Sequence, residues 1–156
     1  MIDDIAVARA IHLLGLVHWI GGVTAVTTIV LPRARAIADA KQAIEAFEAF
    51  EARFAAQARI SILLVGLSGA YMLMKLQAWA MLAQRSGWWL DLMIAVWLLF
   101  AAMVYVIEPL FHHRLRDAAL RDKDRAFAVA TAFHVIALTA AAVAIACGVL
   151  GTAGAL

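Results

Sequence analysis

Four apolar stretches dominate the chain, and charge collects in the segments between them. The first reaches from about Ile5 to Leu31 and meets Pro32, Arg33 and Arg35. The second covers about residues 60–82, the third runs from Trp88 to Leu110 with Pro109 near its end, and the fourth from Ala126 to Leu150. Each is about 20 to 27 residues long, the length a helix needs to cross a bilayer at its rise of about 1.5 Å per residue. Open sheets leave backbone groups unpaired in lipid, and the alternation that a closed barrel needs is missing, so the pattern predicts helices. Between the first two, Ile44, Phe47 and Phe54 recur at helical spacing among Glu45, Glu48, Glu51 and Arg53. That predicts a helical extension over about 41–59, continuous with helix two and carrying one apolar face. The expected fold is all-α: an integral membrane four-helix bundle with a cytoplasmic helical extension between helices one and two. No Gly/Ser linker, low-complexity tract or fixed-period repeat interrupts it, so 1–156 reads as a single transmembrane domain.

Composition narrows the function classes. Of 156 residues 66% are hydrophobic and 15% charged, and the mean hydropathy is +0.91, well outside the range of soluble domains. Four spans leave no length for a separate soluble catalytic unit, and no GxSxG, P-loop, GxGxxG or HExxH motif occurs. A net charge of +2 gives no reason to expect a nucleic-acid partner. The single cysteine, Cys147, can form neither an internal disulfide nor a Cys-pair metal site, so a metal would rest on histidine, methionine or carboxylate. The opening Met1-Ile2-Asp3-Asp4 is acidic where a signal peptide is basic, and helix one is therefore expected to be retained.

Charge placement predicts the orientation. Arg33, Arg35, Lys41, Arg53 and Arg59 lie between helices one and two, and Arg114, Arg116, Arg121, Lys123 and Arg125 between three and four. Only Arg9, Lys75 and Arg85 fall on the other side. By the positive-inside rule the two basic stretches are cytoplasmic and both termini lie outside. Trp79, Trp88 and Trp89 at the opposite turn agree, since indole rings favour the headgroup level.

Ionisable groups within the apolar runs are costly, and they are the first candidates for function. In helix one, Ala8, His12, Gly15, His18, Trp19, Gly22 and Val26 fall within an arc of about 120° at 100° per residue. Gly15 and Gly22 make a groove that admits either a neighbouring helix or a flat macrocycle. In helix four, His134 heads a small-residue seam of Ala137, Ala141, Ala144, Gly148 and Gly151. Histidines beside small residues on two helices are what a haem site in a bundle requires. By depth, His18 and His134 form the closer pair, and His12 lies about 9 Å nearer the outer face than His18. His112 and His113 read as a solvated pair at the basic boundary, with Glu108 placed to pair with His112 or Arg114. Lys75 reads as snorkelling to the outer headgroups or lying near a propionate, and Asp91 as an N-terminal helix stabiliser or a chemical group.

The stretch Ile11-His12-Leu13-Leu14-Gly15-Leu16-Val17-His18-Trp19-Ile20-Gly21-Gly22 resembles the opening helix of the HemJ-type protoporphyrinogen oxidases, with tryptophan seven residues after the histidine and glycine three later. It is also similar to the CopD-type copper-resistance membrane domains, which share a Trp-x-Gly-Gly element and an apolar run to Leu-Pro, here Leu31-Pro32. Phe50-Glu51-Ala52-Arg53-Phe54 is similar to the Glu/Arg segment that leads into helix two of that superfamily. The resemblance implies a multi-pass protein of a bacterial inner membrane that binds haem b, with His12 at the haem-ligating position. His18 or His134 would then be a second ligand or distal group, and Trp19 would pack on the ring. Two elements differ: Trp89-Leu90-Asp91-Leu92-Met93 lacks the family's lysine in helix three, and Thr131-Ala132-Phe133-His134 replaces its Asn-Glu-x-Pro element. The expectation is a related haem protein with redox or O2/NO chemistry, served by an electron donor or lipophilic substrate, and homo-oligomeric. The alternatives are CopD-like copper transport, with Met72, Met74, Met81, Met93 and Met103 as further donors, and a subunit that only packs with a partner.

Overall fold

The structure, a computed structural model, describes residues 3–155. Its four helices are α1 (Asp4–Arg35), α2 (Ala40–Lys75), α3 (Arg85–Arg121) and α4 (Lys123–Thr152), each long and apolar enough to cross a membrane. No strand occurs among the described residues. Aspartate opens three of the helices by accepting a backbone N–H that the first turn leaves unpaired. Asp3 takes that of Ile5 at 3.0 Å, Asp39 that of Gln42 at 2.8 Å, and Asp122 that of Arg125 at 3.0 Å.

The helices run past the ends that the apolar pattern set. α1 continues through Pro32 to Arg35, α3 continues through Pro109 to Arg121, and Asp122 alone separates α3 from α4. Proline lacks an N–H, and its ring collides with the carbonyl four residues back, which ordinarily ends or kinks a helix. Here each proline follows a π-helical turn, Val26–Val30 before Leu31-Pro32 and Met103–Ile107 before Glu108-Pro109. The widened turn carries the Leu31 N–H to the Val26 carbonyl and the Glu108 N–H to that of Met103, five residues back. The extra residue re-aims the carbonyls that proline would meet. The segment 41–59 is continuous with helix two, as the periodicity predicts.

α1 packs along α2 and α3 along α4, and the pairs close through contacts of α1 with α4 and of α2 with α3. Two ends result: a basic end, with the connections 36–39 and Asp122, and a tryptophan end, with the connection 76–84. At the tryptophan end Gln77 and Ala83 take left-handed backbone (φ 51° and 60°), and a side chain at Gly87 would strike the Met81 carbonyl. Asp91 accepts the Ala83 N–H at 3.3 Å and so ties this connection to the start of α3.

Two apolar clusters fill the bundle. One joins Trp19, Val23, Ile62, Phe100, Ala137 and Ala141, with the Trp19 and Phe100 rings edge-to-face at 4.3 Å. The other, toward the basic end, joins Val26, Leu31, Ala34, Ala43, Ile44 and Phe127. The outer surface stays apolar: Leu14 is 69% exposed, Val17 71% and Ile136 69%. So much exposed apolar surface suits a molecule whose solvent is lipid.

Candidate functional site

Helix–helix contact in lipid gains little from burying apolar area, so it relies on close approach and interhelical hydrogen bonds. The α1–α2 seam shows both. A β-carbon at Gly15 would lie 2.9 Å from Val65 Cγ2 and 3.4 Å from the Ser61 carbonyl oxygen, and one at Gly22 would collide with the Phe54 ring. These glycines therefore admit α2, and the face between His12 and His18 is occupied by protein.

His12 enters this seam from one side. Its Nδ1 lies 3.0 Å from the Val65 carbonyl oxygen and 3.1 Å from Ser68 Oγ. A carbonyl only accepts, and the Ser68 hydroxyl spends its proton on the Leu64 carbonyl at 2.6 Å. Nδ1 is therefore the protonated nitrogen and donates to both oxygens. In the neutral ring Nε2 then carries the free lone pair, and it has no hydrogen-bond partner among the described residues. Gly69 makes the space: a β-carbon there would be 3.3 Å from His12 Cε1. An imidazole whose Nδ1–H is held by a backbone carbonyl and whose Nε2 is free is the form in which histidine binds a metal.

The other residues expected at a cofactor do not join His12. Trp19 is 3% exposed and packed on Phe100, Ala137 and Ala141, so neither ring face is open to a macrocycle. The α4 seam is filled in the same way: side chains at Gly148 and Gly151 would collide with Met93 and with the Trp89 ring. His134 donates from Nδ1 to the Ala130 carbonyl at 2.8 Å and lies edge-to-face with Phe133. Its Nε2 also has no partner among the described residues, but its Nδ1 partner lies on its own helix, whereas His12 is fixed across the seam by Val65 and Ser68. His18 is exposed on the opposite flank of the α1–α2 seam, in a groove of about 370 Å³ that it shares with Gln57 and Ser61. Gln57 and Ser61 are four residues apart and so share a helical face.

The ends of the bundle hold the ion pairs. At the tryptophan end Lys75 Nζ lies 2.9 Å from Asp4 Oδ2, to which the Tyr71 hydroxyl also donates at 2.7 Å. Lys75 is thus committed to α1. Toward the basic end Arg59 pairs with Glu108 at 2.7 Å and Arg116 with Glu48 at 3.2 Å. His112 stands 3.8 Å from Glu48, so Glu108 pairs across to α2 and not with His112 or Arg114. Glu51, on the polar first half of α2, is pushed up to about 7 by burial first and then by the charges of Glu108 and Glu48.

Among the described residues no group of three or more His, Cys, Asp or Glu side chains is placed to hold a metal ion. A single imidazole with a fixed tautomer still fits one ligand class: a group that brings its other donors with it, as a porphyrin brings four nitrogens. His12 would supply one imidazole nitrogen to such a group, while the glycine face and Trp19 do not fit as a macrocycle's seat. No protein-family model matches the chain, and no curated protein or solved structure gives a significant match.

Proposed function

We propose that this chain is a membrane-embedded b-type haem protein of a bacterial inner membrane, with the basic end cytoplasmic, and that His12 Nε2 is the iron's one ligand from the protein. The observation that carries the reading is the His12 Nδ1–H bound to the Val65 carbonyl at 3.0 Å, which leaves Nε2 free. The resemblance of the His12…Trp19…Gly22 element to HemJ-type proteins supports the same histidine.

Bound haem supplies one-electron redox chemistry or O2/NO binding at iron. The chain's own part is to orient. Val65 and Ser68 fix the tautomer of His12 and raise its basicity by drawing on the Nδ1 proton, and Gly69 gives the ring room to turn toward its ligand. In this reading His12 alone would hold the iron, and His18 and His134 would stay bound up with the protein or facing outward, as the structure places them.

The test is spectroscopic. Protein purified from haem-sufficient cells should show a Soret band, a b-type pyridine haemochrome and a high-spin ferrous spectrum that shifts on adding CO. Folded protein without haem would end this reading and leave copper transport to be tested by metal analysis. A low-spin, CO-insensitive spectrum would require a second protein ligand and reject the single-histidine assignment.

A further inference from the structure

The groove beside His18 has a built polarity. Its end toward the tryptophan end of the bundle is lined by Ile11, Leu14 and Leu64; its end toward the basic end by His18, Gln57 and Ser61. Ser61 is only 4% exposed, yet its hydroxyl makes no hydrogen bond among the described residues, whereas the Ser68 hydroxyl is bonded to the Leu64 carbonyl. Among the described residues no buried side-chain oxygen or nitrogen is sealed away without a partner, so the Ser61 hydroxyl keeps its access, and the space it lines is this groove. Neither His18 nor Gln57 has a hydrogen-bond partner among the described residues either. Of the three, Ser61 carries the cost, because a buried hydroxyl gives up water and is costly unless something supplies a partner.

We propose that this groove binds a lipid-soluble molecule of the quinone class, its ring among His18, Gln57 and Ser61 and its tail along Ile11, Leu14 and Leu64. Three properties select that chemistry. No charged side chain lines the groove, so it matches neither a phosphate headgroup nor a metal cation, and the nearby Arg59 is taken by Glu108. The imidazole, amide and hydroxyl can each donate to a ring carbonyl, and each can also accept, so the site suits the quinone and the quinol. The volume, about 370 Å³, lies in the range of small-ligand clefts, and the exposed Leu14 and Ile60 leave it open sideways to the bilayer. The inference does not depend on the haem reading.

The test is photolabelling of the full chain in detergent micelles with an alkyl azidobenzoquinone, followed by peptide mapping. Label should fall within residues 11–18 and 57–64 and be displaced by decylbenzoquinone. Ser61→Ala should weaken the competition about two- to ten-fold, and the His18→Leu, Gln57→Leu double variant at least about ten-fold, the worth of one and of two or more hydrogen bonds. Helix content by circular dichroism checks that the variants fold. Labelling elsewhere, equal displacement by dodecanol or phosphatidylglycerol, or unchanged competition in both folded variants would overturn the proposal. So would efficient crosslinking between copies at the groove's exposed edge, in Leu14→Cys, that abolishes the labelling which the uncrosslinked variant keeps, since a second copy would then fill the groove. Haem content is recorded in parallel: its absence with labelling intact rejects the haem reading alone.

Discussion

His12 and His18 sit six residues apart on one helix, and at 100° per residue they straddle the line along which α1 meets α2. On one flank His12 is held through Nδ1 by Val65 and Ser68. On the other His18 is exposed and, like the buried Ser61 beside it, has no hydrogen-bond partner among the described residues. The difference follows from what lipid offers. An imidazole that turns into a helix seam finds backbone carbonyls and takes one; an imidazole that turns out finds no protein partner. Depth in the membrane is thus a poor guide to what a histidine does. The ring nitrogens left without a partner are the better guide: His12 keeps only Nε2 free, while both nitrogens of His18 are without a partner among the described residues.

The sharpest test is paired substitution. His12→Ala should lower haem content at least about ten-fold by removing the axial bond, while His18→Ala leaves the haem spectrum unchanged; equal loss in both, read by pyridine haemochrome, would erase the distinction between the flanks. Next comes the seam itself. Gly15→Leu drives a side chain into Val65 and the Ser61 carbonyl, so it should cost about 1–3 kcal/mol in SDS-induced unfolding and damage both sites together. If one site survives intact, the flanks do not share a common wall.

A pH titration of stability must be assigned to the right group before either histidine is blamed. Glu51 has its pKa raised from 4.5 to about 7 in the folded chain. Between these values the folded protein binds more protons than the unfolded one, so stability falls as pH rises from about 4.5 to about 7 and levels off above. Glu51→Gln should remove that slope and, at pH 8, stabilise by about 1–2 kcal/mol after allowance for the water that reaches a half-buried carboxylate. A slope that persists in Glu51→Gln belongs to another group. The smallest effect is expected from Ser68→Ala, about 0.6 kcal/mol, with haem retained, because Val65 still holds the Nδ1 proton. Loss of haem in this variant would mean that the serine, and not the carbonyl, orients His12.

Much of the local structure was legible from residue order. Apolar length predicted four helices because lipid supplies no partner for the backbone and each segment must bond to itself. The heptad-like run of Ile44, Phe47 and Phe54 gave the extension of α2, since any helix with one apolar stripe repeats that way. His12 stood out as an ionisable group within an apolar run. The tertiary structure decided the rest. Pro32 and Pro109 read as helix ends, and only in the folded chain do π turns carry α1 and α3 past them. Lys75 and Glu108 read as groups for headgroups or near neighbours, but their partners, Asp4 and Arg59, are remote in sequence. Gly15 and Gly22 could have held a helix or a ring, and packing chose the helix. The physical reason is common to all three. Periodicity tells which residues share a face, but a helix in lipid is apolar all round, so no polar side marks its outside. Which neighbour fills each notch, and which nitrogen stays free, is settled only by the other helices.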